Sequence, residues 1–160
     1  MAQTLARQII EKADLAGWKI STVESCTGGL IFAALTDIAG SSAVLDRGFV
    51  TYSNLAKQEM VGVDPQILEK FGAVSEQTAA AMALGGIAHS ITDISLSVTG
   101  IAGPGGGSLE KPVGLVWMSV ATKTSTTAVK RFDFSGDRQA VRRQAVTAGL
   151  TLILDGLQAH

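Results

Sequence analysis

The chain has 160 residues, 46% of them apolar and 17% charged, enough to build one core without disulfide or metal staples. Its 13 basic and 14 acidic residues leave a net charge of −1 with no long run of either sign, which argues against a protein that grips nucleic acid through a basic face. A single cysteine, Cys26, rules out an intramolecular disulfide, and no stretch approaches the ~18 uninterrupted apolar residues of a membrane span.

Leu5, Ile9, Ile10 and Ala13 recur at helical spacing with charges between them, so the amino terminus reads as an amphipathic helix and not as a secretory signal. Gly17 ends it, and the cytoplasm is the expected setting. Residues 18–24 alternate apolar and polar, with Trp18, Ile20 and Thr22 on one side, and predict a first strand. The pair Gly28-Gly29 leads into a short apolar helix at 30–36, followed by a turn at Gly40-Ser41-Ser42. Residues 44–52 predict a second strand, in which Gly48 marks a bulge or a bend. Asn54 is placed to cap a helix through residue 60, and Asp64-Pro65 opens another that Gly72 ends. Ser75 opens an alanine-rich helix to about residue 90. A strand at 94–99, a loop at 100–111, a long apolar strand at 113–122 and an amphipathic strand at 127–134 follow. Asp137 begins the last helix, which runs to about residue 157.

The order is therefore α-β-α-β-α-α-α-β-β-β-α. Early β/α alternation implies parallel strands with helical crossovers, while the late hairpin forces an antiparallel pair. The expected fold is α/β: a three-layer α/β/α sandwich with a mixed, mostly parallel sheet of about five strands, forming one domain over residues 1–160. The strand at 113–121 is either central in that sheet or part of an interface.

Two absences bound the chemistry. The only histidines are His89, in the alanine-rich helix, and His160, the last residue; neither stands beside a motif, so a Ser-His-Asp triad lacks its imidazole. Clusters of His, Cys and carboxylates at ligand spacing are missing too, and no metal or cofactor is expected. Ser25 lies at a predicted strand-to-helix junction, where the sheet fixes the strand end and the helix start offers free amides. Thr27, Gly28 and Gly29 let that backbone approach a phosphate or an oxyanion; equally, Ser25 or Thr27 simply caps the helix. A serine nucleophile without histidine needs another base, and a lysine serves if burial lowers its pKa. Lys57, one helical turn after Asn54 in Tyr52-Ser53-Asn54-Leu55-Ala56-Lys57, is the best placed; the alternative is a solvated surface lysine.

The loop bearing Gly100, Ala102 and Gly103 is either an anion cradle or a hairpin loop, and it lacks the Lys-Ser/Thr ending of a P-loop. Arg138 and Arg142 share a face at the start of the last helix, with Arg143 beside them. They fit a phosphate or carboxylate ligand, or salt bridges to Asp133 or Asp137. Cys26 is either a rival nucleophile with a depressed pKa or an inert buried thiol.

Five segments taken together resemble one family. Glu24-Ser25-Cys26-Thr27-Gly28-Gly29, Gly48-Phe49-Val50-Thr51-Tyr52-Ser53-Asn54 with Lys57, Gly72-Ala73-Val74-Ser75, Gly100-Ile101-Ala102-Gly103-Pro104 with Lys111-Pro112-Val113-Gly114, and Ser135-Gly136-Asp137-Arg138 with Val141-Arg142 are similar to the CinA carboxy-terminal family. Its members are nicotinamide-nucleotide amidohydrolases, or NMN deamidases, and the match runs in order over nearly the whole chain in the manner of the stand-alone form. The resemblance implies hydrolysis of nicotinamide mononucleotide (NMN) to nicotinate mononucleotide and ammonia, in the pyridine nucleotide cycle of NAD salvage. It also implies a serine–lysine mechanism through an acyl-enzyme, with Ser25 matching the serine, Lys57 the lysine and Tyr52 the assisting tyrosine, and no cofactor.

On that footing the amides near Thr27, Gly28 and Gly29 are expected to hold the oxyanion, with Asn54 also on the substrate. Gly100, Ala102 and Gly103, with Arg138 or Arg142, are expected to hold phosphate and ribose. The expected partners are the small nucleotide substrate and further copies of the chain in a homo-oligomer, with neither nucleic acid nor membrane. The rival is a non-catalytic nucleotide-binding module of the same fold. A purely structural oligomerisation domain would leave the clustered glycines and the Tyr52–Lys57 segment without a purpose.

Overall fold

The computed structural model describes residues 1–159, so His160 lies outside the described residues. The elements are α1 (Ala2–Ala16), β1 (Ile20–Glu24), α2 (Leu30–Thr36), β2 (Leu45–Val50), α3 (Asn54–Val61), α4 (Pro65–Phe71), α5 (Glu76–Ala88), β3 (Ile94–Gly100), β4 (Leu115–Thr122), β5 (Thr126–Asp133) and α6 (Arg138–Gln158). This is the expected order, with one added 3-10 turn at Ser41–Ala43. The punctuation acts as its chemistry dictates. Gly17 closes α1 in the left-handed region, and the side chains of Asp64, Ser75 and Asp137 accept from the amides of Gln66, Thr78 and Ala140 at their helix starts. One cap moves by a residue: Ser53, not Asn54, caps α3, its Oγ accepting from the Ala56 amide at 3.0 Å.

The sheet runs β2-β1-β3-β4-β5. β1 pairs in parallel with β2 and β3, and β4 runs antiparallel to both β3 and β5, so four strands point one way and β4 the other. β4 is thus internal to the sheet, which decides the reading of the 113–121 segment. β1 is buried at every position, where the alternation of its residues predicts one solvated side. Helices cover both faces of this part of the sheet, and a strand covered on both faces has no solvent side.

The two faces differ in kind. Ile20, Leu96, Val98, Met118 and Val120 pack with α1, α2 and α6 in the main apolar core. The opposite face carries the buried Ser95, Ser97 and Ser119 beneath α5, with Ser97 Oγ donating to Ala79 O at 2.6 Å. A second cluster of Val23, Val61, Val63, Leu68 and Met82 ties α3, α4 and α5 to that side, completing three layers. Among the described residues no helix is long and apolar enough to cross a membrane.

Gly48 neither bulges nor bends β2. It pairs regularly with Thr22, and the register shift falls earlier, where Leu45 and Arg47 face consecutive residues of β1. What Gly48 provides is space: a Cβ there would stand 2.9 Å from Phe32 Cγ of α2. Gly48→Val is expected to cost about 1–3 kcal/mol by overpacking, read from denaturant unfolding midpoints. An unchanged midpoint would show that Phe32 yields freely.

Candidate active site

The parallel strands β1, β2 and β3 end at one edge of the sheet, the usual place for ligands in open α/β sheets. A half-open cavity of about 200 Å³ lies there, lined by Ser25, Cys26, Tyr52, Asn54, Lys57, Ala73, Val74, Thr99, Gly100, Ala102 and Arg138. The segments leaving β1, β2 and β3 thus meet the start of α6 around one space.

Ser25 is fixed by the sheet: its amide donates to Val98 O at 2.9 Å, extending the β1–β3 ladder by one residue. The chain then reverses through Gly28 (φ 62°) and Gly29 (φ 98°), a backbone region that side chains with a Cβ resist. The turn closes with the Gly28 amide on Ser25 O at 3.1 Å. Ser25 keeps 8% of its surface exposed, toward the cavity it lines.

Glu24 is wholly buried and organises this turn from within. Its Oε2 accepts from Thr27 Oγ1 (2.7 Å), the Gly29 amide (3.0 Å) and the Ile31 amide (3.1 Å), while Oε1 accepts from Thr22 Oγ1 (3.1 Å) and the Phe32 amide (2.9 Å). Five donors at the start of α2 thus leave neither carboxylate oxygen of this buried side chain without a partner.

Lys57 is 1% exposed and heads the largest fully buried side chains, so it is no surface lysine. Its Nζ donates to Thr51 O at 2.8 Å and lies 3.1 Å from Ser25 Oγ. No ion pair among the described residues includes it. Burial pushes its pKa below the ordinary lysine value. The neighbouring thiol goes the other way: burial, with a smaller push from Glu24, raises Cys26 to about 11. Of the two readings of Cys26, the inert buried thiol fits this position.

Tyr52 is 63% exposed at the rim, and its hydroxyl accepts from Arg138 Nη2 at 3.3 Å. Arg138 Nη1 donates to Gly103 O at 2.9 Å, so Arg138 joins the β2 exit to the glycine loop. Arg142, four residues on, lies behind the Ser25–Gly29 turn and off the cavity wall. Its Nε donates to Cys26 O and its Nη2 to Thr27 O, each at 3.1 Å. Asp133 is engaged by Arg131, and Asp137 caps α6, so neither forms an ion pair with Arg138, Arg142 or Arg143 among the described residues.

The structure thus brings Ser25, Lys57, Tyr52, Asn54, Gly100, Ala102 and Arg138 onto one cavity. Thr27, Gly28, Gly29, Gly103 and Arg142 form its frame instead. Sequence reasoning gave no site role to Glu24, here an anchor, to Thr51, which acts through its carbonyl, or to Ala73, Val74 and Thr99 on the wall, although all but Thr99 fall within the family motifs. For Glu24 a signal existed: a carboxylate closing a central strand, directly before a helix start with free amides. Among the described residues no group of three or more His, Cys, Asp or Glu side chains converges as metal ligands would.

Fold and site together define an α/β protein in which a serine touches a buried amine that forms no ion pair among the described residues, at the sheet's edge. The CinA C-terminal domain family matches residues 2–157, and the chain belongs to it. It is 56% identical to the nicotinamide-nucleotide amidohydrolase PncC of Enterobacter agglomerans over 86% of this chain and 84% of that one. It is 53% identical to a putative competence-damage inducible protein of Caldicellulosiruptor bescii over 84% of this chain, spanning only 33% of that longer protein. The crystal structure of the competence/damage inducible protein CihA from Agrobacterium tumefaciens superposes with a TM-score of 0.95 at 48% identity, covering 98% of this chain and 95% of that one.

With a pKa of about 11, Cys26 holds about a thousandth of its thiol as thiolate at pH 8. Iodoacetamide should therefore alkylate Cys26 far more slowly in the folded protein than in urea, measured by intact mass. Equal rates in both states would mean an accessible, ionised thiol.

Proposed function

We propose that this chain hydrolyses the carboxamide of NMN to nicotinate mononucleotide and ammonia, with Ser25 as nucleophile and Lys57 as general base. That it is an amidohydrolase rests on relatives that match most of its length. The observation that carries the mechanism is the placement of an unpaired, buried Lys57 amine 3.1 Å from Ser25 Oγ. An ammonium there would lose its hydration with no carboxylate in return, so the neutral amine is the favoured form. A neutral amine spends one N–H on Thr51 O and offers its lone pair to the Ser25 hydroxyl.

Ser25 Oγ attacks the carboxamide carbon as its proton passes to Lys57 Nζ. The resulting ammonium, unstable in its dry site, gives that proton to the amide nitrogen; ammonia leaves, and an ester remains on Ser25. Water then attacks the ester, passes a proton to Lys57 and releases the acid, and Ser25 recovers its proton. The oxyanion donors are the amides of Cys26 and Thr27. Those of Gly28 and Gly29, expected to share this role, are committed to Ser25 O and Glu24. Each such donor is worth roughly 3–4 kcal/mol in comparable enzymes. Tyr52 does not hold Lys57; that is done by Thr51 O. Its hydroxyl accepts from Arg138 and keeps its own proton to donate toward the substrate. Arg138, with donors to spare at the rim, suits the ribose-phosphate end. On this reading the reaction runs in the cytoplasm, in NAD salvage, on a homo-oligomer of the chain.

Ammonia release from NMN should fall by roughly 10³-fold or more in Ser25→Ala and in Lys57→Ala, while Cys26→Ala keeps most of it. Loss in Cys26→Ala with activity kept in Ser25→Ala would transfer the nucleophile to the thiol. NMN binding without ammonia release by the unaltered chain would make it a binding module. The base is the neutral amine, so kcat/KM should be lost as pH falls through the pKa of Lys57, along a one-proton limb with its midpoint below 10.5. A pH-independent kcat/KM across that range would remove Lys57 from the mechanism.

A further inference from the structure

The nucleophile turn is gripped from two sides by opposite charges off the cavity wall. On the α2 side, the Glu24 carboxylate takes the amides of Gly29, Ile31 and Phe32 and the Thr27 hydroxyl. On the α6 side, the Arg142 guanidinium takes the carbonyls of Cys26 and Thr27. Donors go to the anion and acceptors to the cation, so each group binds what the other cannot.

The consequence lies in the planarity of the peptide bond. Cys26 C=O and Thr27 N–H belong to one peptide unit, and in a trans peptide the two point in opposite directions. Holding Cys26 O against Arg142 therefore fixes the direction of the Thr27 amide. In the same way, the Gly28 amide on Ser25 O fixes the peptide unit that carries the Cys26 amide. These are the two amides assigned above to the oxyanion, and the Cys26 unit is anchored within the turn. The Thr27 unit has its anchor in Arg142.

We propose that Arg142 is a positioning residue for the acyl-transfer chemistry, setting the Thr27 amide toward the oxyanion through the Cys26 carbonyl, and that it is not a phosphate ligand. Glu24 is its counterpart on the opposite side of the turn. This rests on the reading of Ser25 as nucleophile. It divides the two arginines that the sequence leaves equivalent: Arg138 faces substrate at the rim, and Arg142 acts on the backbone behind the nucleophile. Two donors on a planar fork suit two successive carbonyls, a geometry that a lysine ammonium does not reproduce.

The test pairs steady-state kinetics with labelling of Ser25 by a fluorophosphonate, in which Ser25 Oγ bonds to phosphorus, fluoride leaves and the hydroxyl proton passes to Lys57. The phosphonyl oxygen uses the oxyanion donors, and the probe lacks the nucleotide phosphate. Arg142→Ala should lower kcat for NMN by about 10- to 100-fold with KM within about threefold. It should label Ser25 to full stoichiometry but more slowly by a similar factor. Added guanidinium ion should recover part of both rates, and Arg142→Lys should fall between the alanine variant and the parent. A general loss of folded protein would instead lower labelling stoichiometry and leave guanidinium without effect. Should Arg142→Ala not fold, Arg142→Lys and Arg142→Gln carry the same measurements. Labelling at the parent rate, or a raised KM for NMN with unchanged kcat, overturns the positioning role. Failure of the unaltered enzyme to label at Ser25 while it releases ammonia overturns the serine reading itself, and this inference with it.

Discussion

Lys57 carries a primary amine into a place that water barely reaches and that no carboxylate of the described residues pairs with. Burying an ammonium without an ion pair costs several kcal/mol even after relaxation, so burial here pushes the Lys57 pKa below the ordinary lysine value. The local structure serves that end. The Thr51 amide donates to Glu24 O at 2.8 Å, locking the exit of β2 to the end of β1. Ser53 then starts α3, and the first turn of that helix brings Lys57 back under the strand ends. Thr51 O takes one N–H of the amine and aims the remainder at Ser25.

The second requirement is to keep the buried carboxylate away from that amine. Glu24 and Ser25 are neighbours in sequence at the end of a strand, and successive side chains of a strand point to opposite faces. Glu24 therefore turns toward α2, where its oxygens are filled by Thr22, Thr27 and helix amides. Ser25 turns toward α3 and Lys57. An ion pair between the two would favour the amine's cationic form, which cannot serve as the base proposed above. One step along a β-strand separates the charge that builds the turn from the group that uses it. The asymmetric sheet faces extend the same division: the Leu, Ile, Val and Met face anchors α1, α2 and α6, and the face bearing Ser95, Ser97 and Ser119 lies on the side of the amine.

Much of the fold was legible because its boundaries are chemically marked. Gly17, Asp64-Pro65, Gly72, Ser75 and Asp137 each act where their residue types predict. Less legible were features set by tertiary neighbours. The full burial of β1 depends on α2 and α5, elements far apart in the chain, and Gly48 is explained only by Phe32 across the layer. In the site, the missing histidine and the position of Lys57 behind a strand pointed to a lysine base, and the contact with Ser25 is the geometry such a base requires. The roles of Arg142 and Thr51 were hidden because their partners are backbone carbonyls, which carry no sequence signal. Arg138 and Arg142 share a helix face, yet about 6 Å of helix rise puts one at the rim and the other behind the turn. The substrate came from the family resemblance; spacing alone carried only a serine, a base and a place for an anion.

The central claim is that a neutral Lys57 makes Ser25, and not the adjacent Cys26, the atom that is acylated. The most direct measurement is peptide mass spectrometry of enzyme quenched in acid during turnover of NMN. The account predicts a nicotinate mononucleotide acyl group, added with loss of ammonia, as an ester on Ser25 that survives a neutral hydroxylamine treatment sufficient to cleave a thioester. The same mass found as a thioester on Cys26 would contradict it.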